Sequence, residues 1–440
     1  MGKPLVTVKE GKLEGAVLKS SLGLSYIAFR GIPFAAPPIG NLRFRDPQPP
    51  APWTGILDTS KDTKYMCPQL EENPPFDVIG NEDCLYLNVY TNSLDQSKPV
   101  MFWIHGGAFM LGNSSFHESR PDYLLAKDVV VVSANYRLGA FGFLNLGHRI
   151  APGNLGLKDL IIALEWVKKN IANFGGDSNN VTIFGVSAGA TLVHSLLVSP
   201  RAKGLFHKAI LQSGTLTCPW ANFEIEKGSE GGFKLASLLG KVSNDPVEVF
   251  EFLRTVPAED IVKAQLTLLS PEREKASILP FRPNSDEVAE NPVLPEPVEQ
   301  LITKEADVPV IISHTAHEYL MIIKDPLPHN CQIVYTTIKH DICSYTVGAS
   351  HTDDVAYLLY LPKCKTEHPD PPAIGTKDRI TLERMTRMWT NFATTGNPTS
   401  VKDEFVNVDW KPATEEDLCY LKIDDELQLL PISPHLLSSK

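Results

Sequence analysis

The sequence predicts an α/β fold: one central, mostly parallel sheet with helices on both faces, forming a single domain over residues 1–440. Three observations predict it. Short β-branched runs recur along the chain, an apolar stripe at helical spacing separates two of them, and glycine-rich turns follow two of the runs. The runs are Val100 to Ile104, Val129 to Tyr136, Val181 to Phe184, Ala209 to Gln212 and Val308 to Ser313. Being short and apolar on alternate and intervening positions alike, they read as strands buried on both faces. Between the second and third, Leu157, Ile161, Leu164, Val167, Ile171 and Phe174 advance in steps of 4, 3, 3, 4 and 3, which lines one face of a helix before Gly175-Gly176 stops it. Strands joined through helices need crossover connections, which lay helices over both faces of a parallel sheet. Pro47 to Pro52 lies among Phe44, Trp53 and Ile56 and is expected to be a packed loop, not a linker.

The 440 residues, 43% of them apolar, suffice for a large core. With 41 Lys and Arg against 52 Asp and Glu, the net charge of -11 repels phosphate backbones, so nucleic acid is not an expected partner. No run approaches the roughly 18 apolar residues of a membrane-spanning helix. The first residues, MGKPLVTVKE, contain no apolar signal-peptide core, so intracellular residence is the leading expectation. Two glycosylation sequons, Asn113-Ser114-Ser115 and Asn180-Val181-Thr182, keep secretion as the alternative. Seven cysteines are an odd number, so at least one thiol stays free, and none has metal-ligand spacing. No metal is expected.

The chemistry gathers at the turns. Gly185-Val186-Ser187-Ala188-Gly189 follows the run Val181 to Phe184 and precedes the apolar segment Ala190 to Val198: strand, sharp turn, helix. A serine there sits on a strained elbow whose flanking glycines are needed because side chains would collide with neighbouring main chain. A nucleophilic serine needs donors for the developing oxyanion, each worth on the order of 3 kcal/mol. His105-Gly106-Gly107-Ala108-Phe109, directly after the run Val100 to Ile104, offers them, and Ala188 adds the N–H after the nucleophile. The partners are less determined, since only the chain order Ser, acid, His is fixed. Glu318, past the carboxyl end of the run Val308 to Ser313, is the leading acid; Asp307 and Asp325 are weaker. His329, His340, His351, His368 and His435 compete as the base, and position alone does not choose among them. His194 is expected to be a packed core residue.

Several further blocks carry a resemblance. They are Gly31-Ile32-Pro33-Phe34-Ala35, Leu42-Arg43-Phe44, Glu82-Asp83-Cys84-Leu85-Tyr86-Leu87-Asn88-Val89-Tyr90, Asn135-Tyr136-Arg137-Leu138-Gly139-Ala140-Phe141-Gly142-Phe143, Gly153-Asn154-Leu155-Gly156-Leu157-Lys158-Asp159, Gln212-Ser213-Gly214 and Trp389-Thr390-Asn391-Phe392-Ala393. With them the chain resembles the type-B carboxylesterase and cholinesterase family, and within it the insect-type carboxylesterases. The resemblance implies an α/β-hydrolase fold, with Ser187 as nucleophile, Glu318 as acid and His351 as general base. It also implies Gly107, Ala108 and Ala188 as oxyanion donors, a disulfide between Cys67 and Cys84, and ion pairs Arg43–Glu82 and Arg137–Asp159. The implied activity is hydrolysis of uncharged carboxylic esters, xenobiotic or lipid-like, through an acyl-enzyme, with a small-molecule ester as partner and no cofactor. Oligomeric state is left open.

Three departures qualify the match. Val186 replaces an acidic residue, Ala108 replaces a third glycine, and only 33 positions (351 - 318) separate Glu318 from His351, where the family interposes several times as many. The domain is therefore expected to be shortened there, with Gln332 to His340 as the strand before the histidine loop. The alternative function is a catalytically impaired or non-catalytic relative that sequesters esters. The segment from Cys67 to Cys84 lacks the tryptophan by which cholinesterases hold a quaternary ammonium, so acetylcholine is not an expected substrate. Phe109, Met110 and Trp220 are expected either to line an apolar pocket or to be plain packing.

Overall fold

Among the described residues, all five runs lie in one eight-stranded sheet, whose strands we number in chain order: β1 (Ala16–Lys19), β2 (Ser25–Pro33), β3 (Tyr86–Thr91), β4 (Lys98–Ile104), β5 (Val130–Ala134), β6 (Gly176–Val186), β7 (Lys208–Gln212) and β8 (Val310–Ser313). A computed structural model describes residues 2–62, 64–71, 74, 76–221, 229–268, 279–303, 306–316, 318, 349–365, 369–414 and 417–432. The sheet order is β8-β7-β6-β4-β5-β3-β2-β1. The pairs β5·β4, β6·β4, β6·β7 and β7·β8 are parallel. The pairs β5·β3, β2·β3 and β1·β2 are antiparallel, so the sheet is mixed, with its parallel half formed by the runs read from the sequence.

Alternation along the strands builds two cores. Val100, Phe102 and Ile104 of β4 face one core with Leu160, Leu164 and Val167 of helix α1 (Leu155–Asn170). Met101 and Trp103 face the other with Met385, Met388 and Trp389 of helix α3 (Lys377–Thr395). Helices therefore cover both faces. The stripe from Leu157 to Phe174 is buried throughout, and Gly175 ends it in the left-handed conformation (φ 75°). Between them in sequence, helix α2 (Ala188–Val198) follows β6 directly.

Two expectations need correction. β8 is not buried on both faces: it is an edge strand among the described residues, and Ile312 is 63% exposed. The Pro47 to Pro52 loop packs only through its flanks, Phe44 and Trp53, whereas Ile56 is 54% exposed. Gln332 to His340 lies outside the described residues. An apolar cavity of about 640 Å³ opens beside β8, lined by Leu196, Phe206, Leu211, Leu301, Val310 and Ile312 among others. Neither Ser187, Glu318 nor His351 lines it.

Cys67 and Cys84 are joined in a disulfide. The Arg43 guanidinium grips Glu82 with Nε donating to Oε2 at 2.7 Å, and Arg137 grips buried Asp159 at 2.8 and 2.7 Å. Desolvated pairs of this kind fix arrangement more reliably than they add stability. Both sequon asparagines are engaged by the fold. Asn113 is buried and accepts the Ser115 N–H at 2.9 Å, while Asn180 donates to the Thr394 carbonyl at 3.3 Å and accepts from Lys208 Nζ. No helix among the described residues is long and apolar enough to cross a membrane.

Candidate active site

The parallel strands all point their carboxyl ends at one place. Ser187 follows β6 with φ 56° and ψ -124°, a conformation that L-residues rarely adopt, and its N–H donates to the Gln212 carbonyl at 2.8 Å. Crowding enforces the glycines around it. A Cβ on Gly185 would lie 2.7 Å from the Ile104 carbonyl oxygen, and one on Gly189 would lie 2.7 Å from that of His105. A Cβ on Gly214 would overlap the Ser187 carbonyl.

The loop after β4 faces this elbow. Gly107, Ala108 and Phe109 take φ values of 109°, 53° and 58° in succession, and a Cβ on Gly106 would meet the Val186 carbonyl at 2.9 Å. Among the described residues, the main-chain N–H groups of Gly107, Ala108 and Ala188 have no acceptor. Gln69, which sequence reading missed, props this loop: its side chain accepts the Gly112 N–H at 2.8 Å and donates to the Cys67 and Gly112 carbonyls at 3.0 Å. His105 is buried, stacks on Tyr136 at 4.4 Å, and is pushed by burial down to about 4, so it is neutral and structural.

Glu318 and His351 meet at this end of the sheet. His351 Nδ1 lies 2.5 Å from Glu318 Oε2. Glu318 Oε1 accepts from Ser213 Oγ at 2.7 Å and from the Thr315 N–H at 2.6 Å. Burial works against a charge on Glu318, but the bonds from His351, Ser213 and Thr315 outweigh it and hold the carboxyl below its ordinary value. No hydrogen bond joins Ser187 to His351, whereas His351 is bonded directly to Glu318.

Three residues beyond His351, the side chain of Asp354 is buried and accepts from Gln212 Nε2 at 2.6 Å, and Trp389 Nε1 donates to Gln212 Oε1 at 3.4 Å. The sequence reading assigned no role to Ser213, Thr315, Gln212 or Asp354, although Gln212-Ser213-Gly214 stood among the matching blocks and Asp354 lies three positions after His351. Of the competitors, Asp307 pairs with Lys203 on the surface at 2.6 Å, and His194 is half-buried, accepting the Leu216 N–H at 3.1 Å. Asp325, His329, His340, His368 and His435 lie outside the described residues. Phe109 is fully buried between Phe143 and Trp220, which is packing.

Comparison with known proteins agrees with this architecture. The model of the Carboxylesterase family matches residues 2–344 and 329–435. Esterase FE4 of Myzus persicae is 41% identical over 325 residues, covering 72% of this chain and 56% of that protein. Juvenile hormone esterase of Tribolium castaneum is 48% identical over 223 residues, covering 50% and 37% respectively. The chain thus spans about half the length of the curated relatives it matches. The crystal structure of juvenile hormone esterase from Manduca sexta superposes with a TM-score of 0.85 at 26% identity, covering 99% of this chain and 97% of that one. With an α/β-hydrolase sheet and a family match along most of its length, the chain belongs to the carboxylesterase family.

Proposed function

We propose that this protein is a serine esterase that hydrolyses uncharged carboxylic esters through an acyl-enzyme. The observation that carries this reading is Ser187 in its left-handed elbow beside the unpaired N–H groups of Gly107, Ala108 and Ala188. Such donors stabilise the charge that forms on the carbonyl oxygen when the serine attacks. With Nδ1 held by Glu318, His351 presents Nε2 as the base atom. Ser187 Oγ bonds to the ester carbonyl carbon as His351 takes its proton, and Glu318 stabilises the imidazolium. The C–O bond to the alcohol then breaks, and His351 returns the proton to the departing oxygen. Water repeats the sequence and releases the acid. The segment between Cys67 and Cys84 has no tryptophan to hold a cation, which supports an uncharged substrate. We read residues 1–440 as one domain, shortened between Glu318 and His351.

The missing hydrogen bond between Ser187 and His351 favours a second reading, in which the serine is acylated without turnover and the protein sequesters esters. Purified chain mixed with 4-nitrophenyl acetate or butyrate separates the two, with fluorophosphonate labelling to count sites. Turnover that falls at least about 10⁴-fold in Ser187→Ala supports the esterase. Stoichiometric labelling without turnover supports the sequestering protein, and neither result from folded protein removes both.

A further inference from the structure

We infer that Gln212 and Asp354 form a positioning pair that sets the distance between the base and the nucleophile. This rests on the serine-esterase reading above. Gln212, the last residue of β7, is fully buried and serves both halves of the site. Its carbonyl accepts the Ser187 N–H at 2.8 Å, and its side-chain nitrogen donates to Asp354 Oδ2 at 2.6 Å. The Trp389 indole, donating to Gln212 Oε1, fixes which end of the amide faces Asp354. Asp354 lies in the 3₁₀ turn Asp353–Tyr357, which is tied back toward His351 by Asp353: its carboxylate accepts the Ser350 N–H at 2.7 Å, and its N–H donates to the Ser350 carbonyl at 3.1 Å. One residue therefore joins the elbow, through its main chain, to the histidine loop, through its side chain.

The arrangement does not serve stability. Asp354 is 7% exposed, and among the described residues its Oδ1 has no hydrogen-bond partner. A buried carboxylate using one oxygen is unfavourable, and an amide of the same shape would fold more readily. What the carboxylate supplies is a charge-assisted bond, shorter and stiffer than a neutral one. A base displaced by about 1 Å loses rate on the order of 100-fold, so a stiff tie at this junction acts on the chemical step.

The test uses the full chain with 4-nitrophenyl butyrate. Gln212→Glu sets two carboxylates against each other and is expected to lower kcat about 10- to 100-fold, with KM within about 3-fold of the parent. Adding Asp354→Asn to Gln212→Glu recreates an amide–carboxylate bond with the roles exchanged, and kcat is expected to recover to within about 5-fold of the parent. Proton NMR supplies a readout independent of turnover. The downfield His351 Nδ1–H resonance is expected in the parent and the double variant, and shifted or broadened in Gln212→Glu. Unchanged kcat and an unchanged resonance in Gln212→Glu would overturn the pair. Turnover that survives Ser187→Ala would instead overturn the esterase reading, while the resonance still reports on the pair.

Discussion

At Ser187 the main chain holds a φ of 56°, a strain on the order of 1–3 kcal/mol for a residue with a Cβ. Relieving it has a measurable sign. Ser187→Gly is expected to be about 1 kcal/mol more stable than Ser187→Ala by urea unfolding, although both lack the hydroxyl. Two carboxyls here, partly buried Glu318 and buried Asp354, respond to pH in opposite directions. Glu318 is held below its ordinary value, so the stability it contributes is full above the unfolded value near 4.5 and is lost as pH falls through the folded one. Asp354 is pushed up to about 6, first by burial, so its penalty is full above about 6 and fades as pH falls toward 3.8. Asp354→Asn should accordingly raise stability by about 2–3 kcal/mol at pH 8, and the gain should vanish near pH 4. A gain independent of pH would contradict this assignment. Ser187 was legible in the sequence because its turn needs glycines at fixed offsets. Ser213 and Asp354 were not, because their hydrogen bonds span 105 and 142 positions and leave no spacing to read.

Among elements, β4 to β7 announced themselves because strands buried on both faces are continuous apolar runs, and β8 was read the same way although it lies at the sheet edge with Ile312 exposed. The antiparallel strands β1 to β3 did not, since polar residues interrupt them: Asn88 sits inside β3, where it binds the Gly31 N–H and the Ser114 carbonyl. Helix α1 was legible from its stripe alone. The disulfide segment is an element of a different kind, because Gln69 within it props the loop bearing Gly107 and Ala108. Closing a loop of 17 positions restrains the unfolded chain by roughly 3 kcal/mol. Dithiothreitol or Cys84→Ala is therefore expected to lower Tm and the rate of Ser187 labelling together. A Tm that falls while labelling stays at the parent rate would separate the disulfide from the site.

At the scale of the whole molecule the sheet ends, among the described residues, at β8 with Ile312 exposed beside an apolar cavity. An exposed edge strand is a template for pairing with another chain. Ile312→Lys is expected to reduce self-association in light scattering without changing kcat. Equal association in both proteins would place the sticky surface elsewhere. The engaged sequons carry a consequence of timing. Asn113 lies inside the hydrogen-bonded cluster behind the Gly107 loop, and a sugar attached to it would have no room once that cluster closes. In a cell that glycosylates this chain, transfer to Asn113 and formation of the site are competing fates of one nascent polypeptide. The fraction of molecules bearing that glycan would then be a clock, recording how fast the first third of the chain folds.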